Sequence, residues 1–221
     1  LALAAQGFQI VFTCNPYAAS ASSYVFHTVM SIPITPAAQP GSALHDVQHY
    51  MRPGLLQLTS LPPLSLYVHL PWCLRKCPYC DFNSHQAPGG EPLPEARYTA
   101  ALVADLEAAL PLVWGRTVHS IFIGGGTPSL FSPEAMDRLL GDIRARLPLD
   151  AGCEVTLEAN PGTFEKERFR AYRGAGVTRL SIGVQSFNDR HLQALGRVHD
   201  RAQALAAVEE AAQAFETFNL D

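Results

Sequence analysis

From Ser65 to Asp221, short apolar runs alternate with segments of helical character, and this alternation limits the possible fold more than any other feature of the chain. The runs Leu66–Leu70, Ser120–Ile123, Glu154–Glu158, Arg179–Val184 and Phe218–Asp221 read as buried strands. Pro94–Leu110 carries apolar residues at Leu102, Leu106, Ala109 and Leu110, a helical spacing. Ser132–Leu147 opens with Ser132-Pro133-Glu134, an N-cap followed by proline at the first helical position. Glu165–Arg173 meets glycines at 174 and 176, a C-terminal stop signal, and Arg201–Phe215 is rich in alanine. Strand and helix in turn give βα units and a parallel sheet, so the fold class is α/β, either doubly wound or barrel-like.

Composition narrows the function. The chain has 221 residues, is 48% apolar and carries a net charge of −4. That balance argues against a strongly basic nucleic-acid binder and against an acidic disordered protein. No run of 18 apolar residues occurs, so no membrane-spanning helix is expected. The charge is distributed unevenly. Residues 1–45 contain no Asp, Glu, Lys or Arg, and all 16 basic and 20 acidic residues follow. Residues 1–29 are expected to be an upstream extension without a fold of its own, with the native start at Met30. A secretory signal is the alternative, but the basic n-region it needs is missing. Residues 30–64, rich in Pro, Ser, Gln and Gly, read as a lead-in arm, with Leu55–Leu64 packing on the folded unit. Residues 65–221 form that folded unit.

Five cysteines are present, at positions 14, 73, 77, 80 and 153. An odd count with three members inside eight residues does not describe a secreted disulfide framework. Cys73-x3-Cys77-x2-Cys80 directly follows the first strand, where a loop can turn three thiolates toward one point. Soft thiolates select zinc, copper(I) or an iron–sulfur cluster. Structural zinc usually has four ligands, and neither His69 nor His85 completes a zinc-finger spacing. Other polar groups gather at the ends of later strands. Gly124-Gly125-Gly126-Thr127-Pro128 closes the second strand, and a glycine run lets backbone approach a ligand, although a tight turn needs nothing more. Glu158 ends the third strand in Leu157-Glu158-Ala159-Asn160-Pro161; it needs a partner, either a ligand or an arginine such as Arg179. Gln185 ends the fourth strand, and Arg197 lies twelve residues beyond it. Parallel βα barrels build their sites at this edge of the sheet.

The segment Tyr67-Val68-His69-Leu70-Pro71-Trp72-Cys73-Leu74-Arg75-Lys76-Cys77-Pro78-Tyr79-Cys80-Asp81-Phe82 resembles the radical S-adenosylmethionine (SAM) superfamily. More narrowly, it is similar to the oxygen-independent coproporphyrinogen III oxidase family and its HemW-type haem chaperone branch. The resemblance covers about Ser65 to Asp221. It implies a partial parallel (β/α) barrel truncated after about four βα units, hence the N-terminal fragment of a longer protein. It implies a [4Fe–4S] cluster on Cys73, Cys77 and Cys80, with one iron left open for SAM. Gly125, Gly126 and Thr127 become SAM contacts, Glu158 a contact to the ribose hydroxyls, Gln185 a further contact, Arg197 a cation for the SAM carboxylate and Asp221 a contact to the nucleoside. Tyr67 and Tyr79 flank the cluster as ring contacts or as core aromatics. When SAM is cleaved in this family, an electron from the cluster breaks its C5′–S bond.

The decarboxylating members carry a fourth cysteine two positions after the third, where this chain has Phe82. The resemblance therefore favours the haem chaperone, with haem as cargo. Coproporphyrinogen III dehydrogenase and an inactive fragment are the alternatives, and whether SAM is turned over stays open. The implied partners are haem or a porphyrin, a haem-accepting protein and an electron donor, with no nucleic acid, in the cytoplasm.

Overall fold

The computed structural model describes residues 8–12, 62–87, 89, 92–161 and 168–221. Cys14, Met30 and most of the lead-in arm lie outside the described residues. Eight strands occur among them: β1 (Phe8–Phe12), β2 (Leu64–Leu70), β3 (Trp72–Cys73), β4 (His85–Gln86), β5 (Val118–Gly125), β6 (Leu149–Ala159), β7 (Arg179–Ile182) and β8 (Thr217–Leu220). The helices are α1 (Glu95–Val113), α2 (Pro133–Arg146), α3 (Phe169–Ala175), α4 (Asp189–Ala194) and α5 (Arg201–Ala214). Six strands form one sheet in the order β1-β2-β5-β6-β7-β8, every neighbouring pair parallel. The expected α/β class and parallel sheet are what the molecule has.

Period-two alternation gives the sheet two unlike faces. Leu64, Leu66, Val68 and Leu70 of β2, Ile121 and Ile123 of β5, Leu157 of β6 and Leu180 and Ile182 of β7 are nearly inaccessible. They form one core with Leu102 and Leu106 of α1, Met136 and Leu140 of α2, Tyr172 of α3 and Ala204 of α5. Most of the intervening residues are polar and several bond to one another, while Phe122 stacks on Tyr67. Ser120 donates to Ser65 Oγ (2.8 Å), and Arg179 donates to Asn219 Oδ1 (3.0 Å). This second face is built to meet water or a ligand rather than a dry core.

The elements depart from the sequence pattern in a few places. α1 was expected to end at Leu110 but runs through Pro111 to Val113. Proline removes one backbone donor, and the burial of Ala109 and Val113 on either side holds the last turn in place. β6 begins at Leu149, five residues before the expected start, because Leu149 pairs with Val118 across a register irregularity. β7 stops at Ile182, where Val184 N–H turns back to Ile182 O (2.8 Å). α3 begins at Phe169, and residues 162–167 of the expected helix are outside the described residues. Residues 1–29 were expected to have no fold of their own. Phe8–Phe12 nevertheless pairs in parallel with Leu64–Leu70, and its Phe-Gln-Ile-Val-Phe sequence is rich in the residue types strands favour.

Candidate functional site

The loop that carries the three cysteines is tied down at both ends. β2 runs through Pro71 into β3, which ends at Cys73 and pairs with β4. His85 N–H donates to Pro71 O (2.7 Å) and Ala87 N–H to Cys73 O (2.8 Å), so residues 73–86 return to where they left the sheet. Inside the loop, Lys76 Nζ donates to the carbonyls of Phe82 and Ser84, both at 3.1 Å. The carbonyl between them, Asn83 O, accepts from His69 Nε2 at 2.8 Å. That bond puts the His69 proton on Nε2 and leaves Nδ1 to accept from Tyr67 OH (3.1 Å). Burial keeps His69 below the ordinary imidazole range, against the opposing pull of the Asn83 carbonyl.

Beyond the ends of β5 to β8 lies a cavity of about 340 Å³, a volume suited to a small ligand. Its lining includes Cys73, Cys77, Cys80 and Tyr79, from the strand ends Gly125, Gly126, Thr127, Glu158, Gln185 and Asp221, and from the turn after α4 Arg197. Of the residues singled out from sequence, all but Tyr67 face this one space. Tyr67 instead donates to His69 Nδ1 and stacks on Phe122. The four cysteines among the described residues are free. Cys153 lies away from the cavity, in the early part of β6. Burial raises the Cys73 thiol above its usual range, with hydrogen bonds to Thr127 and Ser84 opposing.

Each strand end supplies one part of the lining. At the end of β5, Gly125 adopts φ +116°, and a Cβ there would come within 2.6 Å of the His69 ring. Only glycine fits, and its N–H is then free to donate to Glu158 Oε2 (3.1 Å). Gly126 and Thr127 turn back on Leu70 O and Trp72 O (2.8 and 2.7 Å), which fixes the glycine turn against the cysteine loop. At the end of β6, Glu158 does not pair with Arg179, which instead bonds Glu154 and Asn219. Burial raises the Glu158 carboxyl above the usual range; the Gly125 N–H opposes this and the Asp221 charge adds to it. At the end of β7, Gln185 adopts φ +65°, a left-handed conformation uncommon for a side-chain-bearing residue, and its N–H donates to Asp221 O (2.6 Å). Asp221 Oδ2 accepts from Ser181 Oγ (3.0 Å), and Asn219 Nδ2 donates to Asp221 Oδ1 (2.8 Å).

Asn160 also lines the cavity, although its sequence context did not single it out. Its Nδ2 donates to Thr127 Oγ1 (2.9 Å), while its Oδ1 accepts from Arg197 Nη2. It therefore joins the glycine turn to the cation of the site. The signal was present, since Asn160 is two positions past Glu158 and alternation puts both on one face. Ser181 and Phe82 also line the cavity, Phe82 with 66% of its surface exposed.

The donors suit a sulfur-ligated group beside a ligand that carries an anion and hydroxyls. Three thiols supply soft ligands. Among the described residues, no three His, Cys, Asp or Glu side chains converge on a single ion. A cubane presents its irons at separate corners, so its ligands need not share one point. Arg197 offers positive charge, and its Nε is buried with no partner among the described residues. Glu158 and Asp221 offer acceptors for hydroxyl groups.

Residues 67–220 match the radical SAM superfamily. Two curated relatives are named heme chaperone HemW. The one from Haemophilus influenzae is 52% identical over 169 residues, covering 74% of this chain and 44% of the relative. The one from Escherichia coli K12 is 53% identical over 165 residues, covering 74% and 43%. The mitochondrial radical S-adenosyl methionine domain-containing protein 1 of Bos taurus is 44% identical over 151 residues, covering 68% and 34%. The chain thus spans less than half the length of these relatives. Among solved structures, the coproporphyrinogen III oxidase HemN from Escherichia coli, described as a radical SAM enzyme, matches with a TM-score of 0.65 at 31% identity. That match covers 72% of this chain and 36% of the other.

Proposed function

The chain belongs to the radical SAM superfamily, and from that premise we propose that it forms the cofactor-binding part of a HemW-type haem chaperone. In this reading Cys73, Cys77 and Cys80 hold a [4Fe–4S] cluster. Gly125, Gly126, Thr127, Tyr79, Glu158, Gln185, Arg197 and Asp221 hold SAM beside it. When bound, the pair supplies one-electron chemistry at a sulfonium. The observation that carries the reading is the convergence of three thiols and the ends of β5, β6, β7 and β8 on one cavity.

The residues divide the work. The loop bonds of Lys76 and His69 fasten the carbonyls of residues 82–84, the segment that follows Cys80. Gly125 presents Glu158 with a backbone donor that orients the carboxylate toward the cavity. Asn160 joins Thr127 to Arg197, so a cation and a hydroxyl keep a fixed separation. Tyr67, behind this lining, supports His69. The odd cysteine count, with three cysteines inside eight residues, fits a reducing compartment such as the cytoplasm. Among the described residues no helix is long and apolar enough to cross a membrane.

Haem as cargo, and a haem-accepting protein and an electron donor as partners, are inferred from the similarity to proteins named HemW. Phe82 supports the same branch, because the decarboxylases resembled by this chain have cysteine there. The HemN likeness keeps coproporphyrinogen oxidation as the second reading. Anaerobically reconstituted full-length protein, given haem and coproporphyrinogen III in separate assays, discriminates between them. Stable haem binding without coproporphyrinogen consumption is the expected result. Turnover with release of carbon dioxide would replace the chaperone reading with the decarboxylase.

A further inference from the structure

Arg197 is positioned by backbone and side chain together. After α4 the chain turns through Gly196 (φ +70°), where a Cβ would lie 2.9 Å from Pro78 Cδ of the cysteine loop. The turn is closed by Arg197 N–H donating to Leu192 O at 2.9 Å. The guanidinium then enters the cavity. Nη2 donates to Gly183 O (2.6 Å) and to Asn160 Oδ1, which uses both of its hydrogens. Nη1 donates to Cys77 Sγ at 3.5 Å. Among the described residues, no carboxylate forms a salt bridge with Arg197.

A half-buried cation without a counter-charge is costly, and the acceptor it has been given is a sulfur in the trio of thiols. We infer that Arg197 sets the reduction potential of the cluster by donating from Nη1 to the Cys77 sulfur, with Asn160 as its positioning residue. This rests on the cluster reading and adds to it a role distinct from SAM binding. Reduction adds negative charge to the cluster. A nearby cation and a hydrogen bond to a ligand sulfur both favour the reduced form and raise the potential. Asn160 and Gly183 O hold the fork at fixed geometry, so Nη1 does not swing away to solvent.

The test is an EPR-monitored redox titration of the anaerobically reconstituted protein without SAM, comparing wild type with R197Q, R197K and N160A. Omitting SAM removes any contribution from Arg197 as a carboxylate contact. R197Q is expected to shift the midpoint to more negative potential by at least a tenfold change in the oxidised-to-reduced ratio, 59 mV for a one-electron couple. R197K keeps the charge but loses the planar fork, and N160A frees the fork. Both are expected to shift less, in the same direction. Should R197Q fail to assemble its cluster, R197K and N160A carry the comparison. An unchanged midpoint in the cluster-bearing variants overturns the inference and leaves the cluster reading standing. Wild-type protein that assembles no iron–sulfur cluster overturns both.

Discussion

Glu158 shows how one residue can be unfavourable for stability and still belong where it is. Burial raises its carboxyl above the usual range. Below the ordinary carboxylate value the folded and unfolded states both keep the proton, and nothing is lost. As pH rises through that value and then through the raised folded one, the unfolded chain ionises first, so stability falls. In the cofactor-free protein, E158Q is therefore expected to unfold at a higher temperature than wild type at pH 7. The gap should close as pH is lowered toward about 4. A variant no more stable at pH 7 would show that the carboxylate is not held against its own charge. The same variant is expected to bind SAM roughly tenfold or more weakly, since a carboxylate acceptor is replaced by a neutral amide. Residues of this kind were legible in the sequence because a charged group at the end of an apolar strand demands a partner. Which partner was not legible. Arg179 was the natural candidate for Glu158, yet it pairs with Glu154, four residues earlier on the same strand. Asn160 carries no charge to draw attention, and its importance comes from bonding two residues that are 33 and 37 positions away.

At the scale of elements, local chemistry sets the start of α2 and the end of α3 at Gly176, whereas tertiary packing sets the end of α1. Ser132 caps α2 by accepting from Ala135 N–H (3.2 Å). It also joins α2 to α1, because its N–H and hydroxyl donate to the two carboxylate oxygens of Glu95 (2.7 and 2.5 Å). S132A is expected to lower stability by about 1–2 kcal/mol, the upper part of the N-cap range, because the Glu95 contact goes with the cap. Denaturant unfolding of the cofactor-free protein measures it, and a loss below about 0.5 kcal/mol would mean the junction is not holding the two helices. The start of α2 was readable from Ser132-Pro133-Glu134 alone. The end of α1 was not, since Pro111 signals a stop that the burial of Ala109 and Val113 overrides. The short α4 was missed because six residues show no period. Its turn at Gly196 nevertheless decides where Arg197 points.

For the whole molecule, the determining fact is the contrast between the two faces of the parallel sheet. One face joins the helices in a single apolar core. The other carries Ser65, Ser120, Arg179, Ser181 and Asn219 in hydrogen bonds and Glu154 in an ion pair with Arg179, and its edge opens on the cavity. An interior of branched apolar side chains would have filled the space that a cofactor needs. The alternation of strand and helix made the class readable, and the polar strand ends made the site's edge readable. The sixth strand of the sheet, β1, was not, because its pairing with β2 spans a sequence separation that no local pattern reports. The proposed function requires three thiols to share one group, and the most direct measurement is iron and acid-labile sulfide per chain after anaerobic reconstitution. About four irons are expected in wild type and in C153A, with loss of the cluster in C73A, C77A and C80A. Zinc in place of iron, or iron content unaffected by removing any of the three, would contradict it.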